Sequence, residues 1–544
     1  MRKTNTIIIF LLLILILLVP QILAFEYSED IQEQKSFVEI TNRVYSTASR
    51  LEVNLSLIPE TDDRQSSVIQ TFPEAEPTPY GILFTFKEKG NLVFGLKSNT
   101  TTKFLLKKLN FLPIGDIEKL TNTSELNFYK KSSNYSDSNN PIIKNKAQQI
   151  AQKTNNSIEA LYLLAEYVHN SMNYDLNYQD LEKASQILEE KKGVCAHYTI
   201  LFVSLARSLG FPARYISGVA YSGLINQSQE HAWAEVYLPG YGWVPYDTTF
   251  GQYAWIDTSH IALKKSQDAG ESSVRYSYIK GYIQPEQTSI NTQVLDFKEK
   301  TPENFETNIS IKIELYKEEV SQESYLPVKV KVVNNNNYYI SLPIRVSVAP
   351  SVYGDSQKIL FLEPMSEEEF FFIIYIPYEP ECKRGCLTYV SISDSFHDFS
   401  KKNITFSDYF DKISLQEAQR IVDEQSITEV DFYCVSNSTI QDENKSVLCN
   451  IKPQNQEMLK ICYQQDCTEK YFEKDKETQI PFEIRTNESD ACFLLDYNNL
   501  SLKSCVVFED KHNKNFFQRI WDSMVIFFMN LDFRMSQIFG FVVS

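Results

Sequence analysis

Eight of the nine cysteines fall between residues 382 and 505, and the ninth, Cys195, stands alone far upstream. Cys382, Cys386, Cys434, Cys449, Cys462, Cys467, Cys492 and Cys505 form an even set, which in an exported chain reads as a disulfide framework stapling short β elements. Zinc is the rival reading. That span holds a single histidine, His397, and only the pairs Cys382/Cys386 and Cys462/Cys467 approach ligand spacing, so disulfides are preferred and no metal or other cofactor is expected. Setting the even cluster aside leaves one unpaired thiol, Cys195, as a candidate for chemistry.

The N-terminus agrees with export. Arg2 and Lys3 precede an apolar run over residues 7–19, followed by Pro20 and Ala24, the pattern of a secretory signal peptide over residues 1–24. An uncleaved membrane anchor is the alternative, because the run together with Ile22 and Leu23 approaches a bilayer span. Either reading places the rest of the chain in an extracellular or cell-surface location. Asn-x-Ser/Thr sites such as Asn54, Asn99 and Asn226 permit glycosylation there. A net charge of −17 leaves no general basic footprint, so no nucleic-acid partner is expected.

At 544 residues the chain is too long for one core, and a multidomain α+β organisation is expected. Residues 25–138 alternate apolar and polar positions in short runs, as a β-rich N-terminal domain would, and the polar stretch 130–140 reads as a linker. From Pro141 the period becomes helical, with Ile158, Leu161, Tyr162, Ala165 and Val168 on one face. From Tyr215 the pattern turns strand-like, so residues 141–290 read as an α+β unit. Residues 305–408 return to alternation and predict an immunoglobulin-like β-sandwich, with a cysteine-rich β domain following over 411–510. The segment 515–544 is apolar but carries Arg519, Asp522, Asp532 and Arg534, which suits an amphipathic helix packed on the protein or on a membrane surface.

Cys195 sits in Gly193-Val194-Cys195-Ala196-His197-Tyr198, just ahead of a helix whose end is marked by Gly210 and Pro212. Unpaired N–H groups at a helix N-terminus favour an anion, and Lys191 and Lys192 are placed to add to that, so a thiolate is expected to be favoured. Of the six histidines His197 is nearest in sequence, but at about 100° per residue position i+2 points away from position i on a helix. His231 is the better base. It heads the run His231-Ala232-Trp233-Ala234-Glu235-Val236, which turns through residues 239–242 and returns as Trp243-Val244-Pro245-Tyr246-Asp247. If paired residues sum to 480, Asp247 faces Trp233 and lies diagonally beside His231 on one face of the sheet.

This triple, with the intervening Leu205-Ala206-Arg207-Ser208-Leu209-Gly210-Phe211-Pro212, resembles the transglutaminase-like superfamily over about residues 184–250. The resemblance implies a papain-like core of helices against an antiparallel sheet, flanked here by the β-sandwich domains. It also implies thioester chemistry on amide bonds of a protein or peptide, with Cys195 as nucleophile, His231 as base and Asp247 as its orienter. Gln186 is a candidate oxyanion helper. Animal-type transglutaminases carry a tryptophan upstream of the cysteine, whereas Trp233, Trp243, Trp255 and Trp521 all lie downstream, which favours hydrolysis over cross-linking. A catalytically silent adhesion or assembly scaffold is the alternative from another class. Both termini offer apolar segments for contact with a membrane surface.

Overall fold

The computed structural model describes residues 31–507 except 153, 179, 223–226, 301–306, 397–398, 426–429, 437–443, 454–456, 464–465, 473–475, 477, 486–489 and 498–499. The signal or anchor segment, His397 and the 515–544 segment lie outside the described residues. Among the described residues no helix is long and apolar enough to cross a membrane.

Two antiparallel sheets open the chain. β1 (Ile31–Ser46), β2 (Arg50–Leu55), β3 (Gln65–Phe72), β4 (Glu76–Thr78), β5 (Gly81–Phe86) and β6 (Gly90–Lys103) pair as β1-β6-β3 and β2-β5-β4, and the short β7 (Leu105–Leu106) follows. Period-two alternation turns Val38, Ile40 and Val44 of β1 and Val53 and Leu55 of β2 into one core with Phe84 and Phe94. Both sheets are completed from far along the chain, by Val274–Ile279 on β2 and by Ser289–Glu299 on β1. The α+β unit expected over 141–290 therefore gives up its last strands to the N-terminal sheets. Nothing local in a strand sequence names its partner, which is why this return is invisible to pattern reading.

Helices follow: α1 (Ile114–Leu120), α2 (Ser124–Lys130), α3 (Pro141–Ala151) and α4 (Ser157–Ser171). The first two fall within the span read as β-rich, and Ile117 of α1 already joins the helical core. Asn140 and Asn156 start α3 and α4 by accepting the N–H groups of Ile142 and Ile158. The polar stretch 130–140 is no linker. Asp268 accepts from the Tyr135 and Ser136 N–H groups and Asp137 accepts from the Ser185 hydroxyl at 2.7 Å, so the stretch is tied into the folded unit, with Ser136 and Ser138 buried.

The centre of the molecule runs through β8 (Asn173–Tyr174), α5 (Ala184–Glu190), β9 (Lys192–Gly193), α6 (Cys195–Ser208), β10 (Ala213–Ser222), β11 (Gln227–Leu238), β12 (Gly242–Asp247), β13 (Gln252–Tyr253), β14 (Trp255–Ile256) and β15 (Ile261–Ser266). An antiparallel sheet of order β13-β12-β11-β10-β15 forms here. The inner face of this sheet buries Tyr215, Ala234, Val236, Val244 and Tyr246 against α3, α4 and α6, with Phe202 of α6 stacked on Tyr246 at 5.1 Å between ring centroids. At the β10–β15 end of this sheet Val219, Ile261 and Leu263 pack among the side chains of β1, β2 and β6 in the N-terminal core.

Beyond residue 307 two further sheets share one core built from Val328, Val330, Leu342, Phe372, Ile392 and Ile404. The helix α7 (Leu415–Gln425) buries Ala418, Ile421 and Val422 in that same core, so these residues join the preceding unit instead of starting the cysteine-rich one. The last unit is two small sheets around Val447, Ile451, Ile461 and Phe493. Disulfides join Cys382–Cys386, Cys434–Cys449 and Cys462–Cys467, and the strand register sets Cys492 opposite Cys505.

Candidate active site

Cys195 is the first residue of α6, is free and is partly exposed. The chain reaches it through a tight passage: α5 ends with Lys191 in the left-handed region, and Gly193 of β9 pairs with Tyr174 of β8. At Gly193 φ is +148°, and a Cβ there would lie 2.4 Å from His197 Cγ. Only glycine fits without moving the start of α6. Gly193→Ala is accordingly expected to cost about 1–3 kcal/mol of stability. It should also reduce Cys195 alkylation, read by thermal unfolding and labelling of the same sample.

His197 is held by backbone. Its Nδ1 accepts the Val194 N–H at 3.2 Å and its Nε2 donates to the Asp180 carbonyl at 2.9 Å, fully buried. Lys192, read as support for a thiolate, instead lies 3.5 Å from Glu190 and over the Tyr178 ring. Gln186 is also redirected. Its Oε1 accepts the Lys183 N–H at 3.3 Å in a capping box at the exposed start of α5, which is no place for an oxyanion donor. The group beside the Cys195 backbone N–H is the half-exposed Tyr174 hydroxyl.

The hairpin β11–β12 has the sum-480 register, Ala234 opposite Tyr246 and Val236 opposite Val244, and β11 begins four residues before His231. That register brings His231 Nε2 to 2.7 Å from Asp247 Oδ2, with both residues buried. The second carboxylate oxygen accepts the Thr249 and Phe250 N–H groups at 2.8 and 3.1 Å, which fixes the plane of the carboxylate. Phe250 stacks on His231 at 4.5 Å between centroids, covering one face of the imidazole. Nε2 is committed to Asp247, so Nδ1 is the nitrogen left for the Cys195 thiol, which interacts with this ring.

Burial alone would lower the proton affinity of His231. The charge and hydrogen bond of Asp247, with Cys195 adding to them, overcome that and push its pKa up to about 10. Burial works to raise Asp247 in turn, and its two histidine neighbours hold it well below the usual carboxylate range. At neutral pH the imidazole is thus a cation between a carboxylate and a thiol.

Sequence reasoning missed His260. Its Nε2 lies 3.0 Å from the same Asp247 oxygen and its Nδ1 3.0 Å from Asp257 Oδ1, with no exposure at all. The signal was present as an Asp-x-x-His spacing among few histidines, but it follows an irregular turn whose path the sequence does not fix. His231, Asp247 and His260 could as a set hold a metal ion by proximity, with ligand atoms within 4.8 Å of one another. Each of these contacts is already accounted for by hydrogen bonds between ring nitrogens and a carboxylate, the arrangement of a protonic site.

Comparison with known proteins places this site. The family model of the transglutaminase-like superfamily matches residues 144–248. A protein-glutamine γ-glutamyltransferase of Pseudomonas aeruginosa is 32% identical over 74 residues, 12% of this chain and 11% of that protein. An uncharacterized protein of Haemophilus influenzae is 34% identical over 110 residues, 16% of this chain and 28% of its own length. One of Bacillus subtilis is 23% identical over 168 residues, 27% of this chain and 22% of that protein. The match thus covers well under half of each relative. Among solved structures, one titled as a cysteine protease of Cytophaga hutchinsonii aligns with 50% of this chain and 93% of its own, at 18% identity and a TM-score of 0.38. Residues 144–248, which carry Cys195, His231 and Asp247, are a transglutaminase-like domain.

Proposed function

We propose that the protein is a cysteine-nucleophile enzyme that cleaves amide bonds of a protein or peptide through a thioester. The observation that carries this reading is the convergence on one imidazole of a buried carboxylate and a free thiol at a helix N-terminus. Cys195 attacks the carbonyl carbon as its thiolate, forming a C–S bond, and the Cys195 backbone N–H stabilises the oxyanion. A substrate oxygen takes that N–H by displacing the Tyr174 hydroxyl. The C–N bond then breaks as the His231 proton passes to the leaving amine, and Asp247 keeps the ring oriented throughout. Water attacks the thioester, His231 takes its proton, and a carboxylate leaves with the thiol restored.

Interception of the thioester by an amine would give transamidation, and the name of the Pseudomonas relative favours keeping this as the second reading. The disulfides support action in an oxidising compartment outside the cell. The strand-rich units on either side would present the site to its target.

Iodoacetamide labelling across pH tests the nucleophile. Wild type is expected to alkylate at Cys195 well below the pH at which free thiols react, Cys195→Ala to lose the label, and His231→Ala to lose the low-pH reactivity. Ordinary-thiol behaviour in wild type would sink the enzyme reading in favour of a silent scaffold. Release of acid or of amine adduct from a glutamine peptide supplied with a primary amine separates the two reactions.

A further inference from the structure

We propose that His260 is a positioning residue of this site, a doubly protonated imidazole clamped between Asp247 and Asp257 that holds Asp247 in place for His231. The inference rests on the catalytic reading above and deepens it.

The hydrogen bonds carry the argument. Asp257 Oδ1 accepts from the Ser259 N–H and hydroxyl at 2.8 and 2.6 Å, and Oδ2 accepts from Gln252 Nε2 at 2.7 Å, beside the His260 contact. Asp247 is equally saturated, with His231 and His260 on Oδ2 and two N–H groups on Oδ1. Carboxylates so supplied with donors are ionised, and an ionised carboxylate only accepts. A ring with one nitrogen on each of them must donate from both, which imidazole does only when both nitrogens carry protons. The result is an unbroken line, His231, Asp247, His260, Asp257, in which imidazole and carboxylate alternate.

Such a ring has work to do during turnover. His231 loses its proton when the leaving amine departs, and at that moment Asp247 loses the charge that balances it. His260 does not contact the reacting atoms, so its charge stays, and Asp247 remains ionised and in plane. Groups facing His260 from the surrounding elements are consistent with that task. Arg64, from the loop before β3, donates to the Asp257 carbonyl at 2.8 Å and to the His260 carbonyl. Trp233 meets the ring edge-on at 5.1 Å, and Phe250 at 5.7 Å. His231 lies at 5.4 Å, and His169, whose Nδ1 is 3.0 Å from the Thr248 carbonyl, feels the Asp247 charge from α4.

The test is the pH dependence of Cys195 alkylation by iodoacetamide in full-length protein, wild type against His260→Gln, with circular dichroism on the same samples. His260→Gln is expected to raise the midpoint by about one pH unit, so that the rate on the acid limb falls about tenfold. Asp257→Asn, which keeps the volume and removes one end of the clamp, should move the midpoint the same way by less and serves where His260→Gln does not fold. A folded His260→Gln protein, or failing that a folded Asp257→Asn protein, with the wild-type midpoint overturns the proposal and leaves the catalytic reading standing. Absence of His231-dependent low-pH labelling in wild type overturns both. Nitrogen-15 histidine spectra give a direct readout: His260 is expected to show two protonated nitrogens at neutral pH, and a single protonated nitrogen there refutes the clamp.

Discussion

Asp247→Ala is expected to lower turnover by about 10⁴-fold and to destabilise the fold by about 3–5 kcal/mol. The carboxylate has no exposure and serves four donors, two imidazole nitrogens and two backbone N–H groups. Removing it leaves the buried His231 cation without its counter-charge and the His260 ring and two N–H groups without their acceptor. His231 responds by giving up its proton, which removes the imidazolium that the thiolate needs. Asp247→Asn separates the two losses. It keeps the volume and the oxygen that accepts Thr249 and Phe250, so stability returns in part while turnover stays low. Denaturant unfolding and the turnover of a peptide substrate, measured on both variants, check this. An Asp247→Ala protein within about 1 kcal/mol of wild type would show that the buried network holds little of the fold together.

Deleting residues 31–103 is expected to abolish cooperative folding of what remains, including residues 144–248. The β10–β15 end of the central sheet supplies Val219, Ile261 and Leu263 to the N-terminal core, and those side chains would meet water. At about 1.5–3 kcal/mol for each aliphatic side chain, the three together approach the whole stability of an ordinary domain. Gln65 goes as well, and with it the pair of hydrogen bonds that clasp Ala262 from both sides, at 2.9 Å from Nε2 to the carbonyl and 2.8 Å from the N–H to Oε1. The strands Val274–Ile279 and Ser289–Glu299 lose their partners and become exposed edges. Thermal unfolding by circular dichroism and dye binding to apolar surface read the outcome. A sharp transition in the truncated chain, with Cys195 still reactive at low pH, would refute this dependence.

Much of the candidate site was legible because its signals are local. A lone thiol ahead of a helix follows from counting cysteines, and the pairing of β11 with β12 follows from a turn too short to allow many registers. That register alone sets Asp247 beside His231. His260 stayed hidden because it arrives from an irregular turn, held by Arg64 and Gln65 across a gap of almost two hundred residues. The stretch 130–140 misled for a related reason, since Ser136, buried with its N–H and hydroxyl on Asp268, looks in sequence like a polar residue meant for solvent. Gln186 shows the same ambiguity at one residue, where an amide suited to an oxyanion is equally suited to a helix start. The split of the central unit's last strands escaped because alternation announces a strand and says nothing of its neighbour.

Eight cysteines could join in 105 ways, yet the three described bridges and the register of Cys492 with Cys505 follow the simplest rule, each cysteine with the next one along. Three of these four pairs span the two strands of a single hairpin, so the backbone ladder that aligns the strands also brings the cysteines opposite one another. In the C-terminal unit the bridges therefore lock a topology that hydrogen bonding and burial have already chosen, and the sulfur chemistry carries almost no wiring information. A neighbouring-pairs code of this kind can be completed hairpin by hairpin, with no distant partner to wait for and few wrong ones within reach.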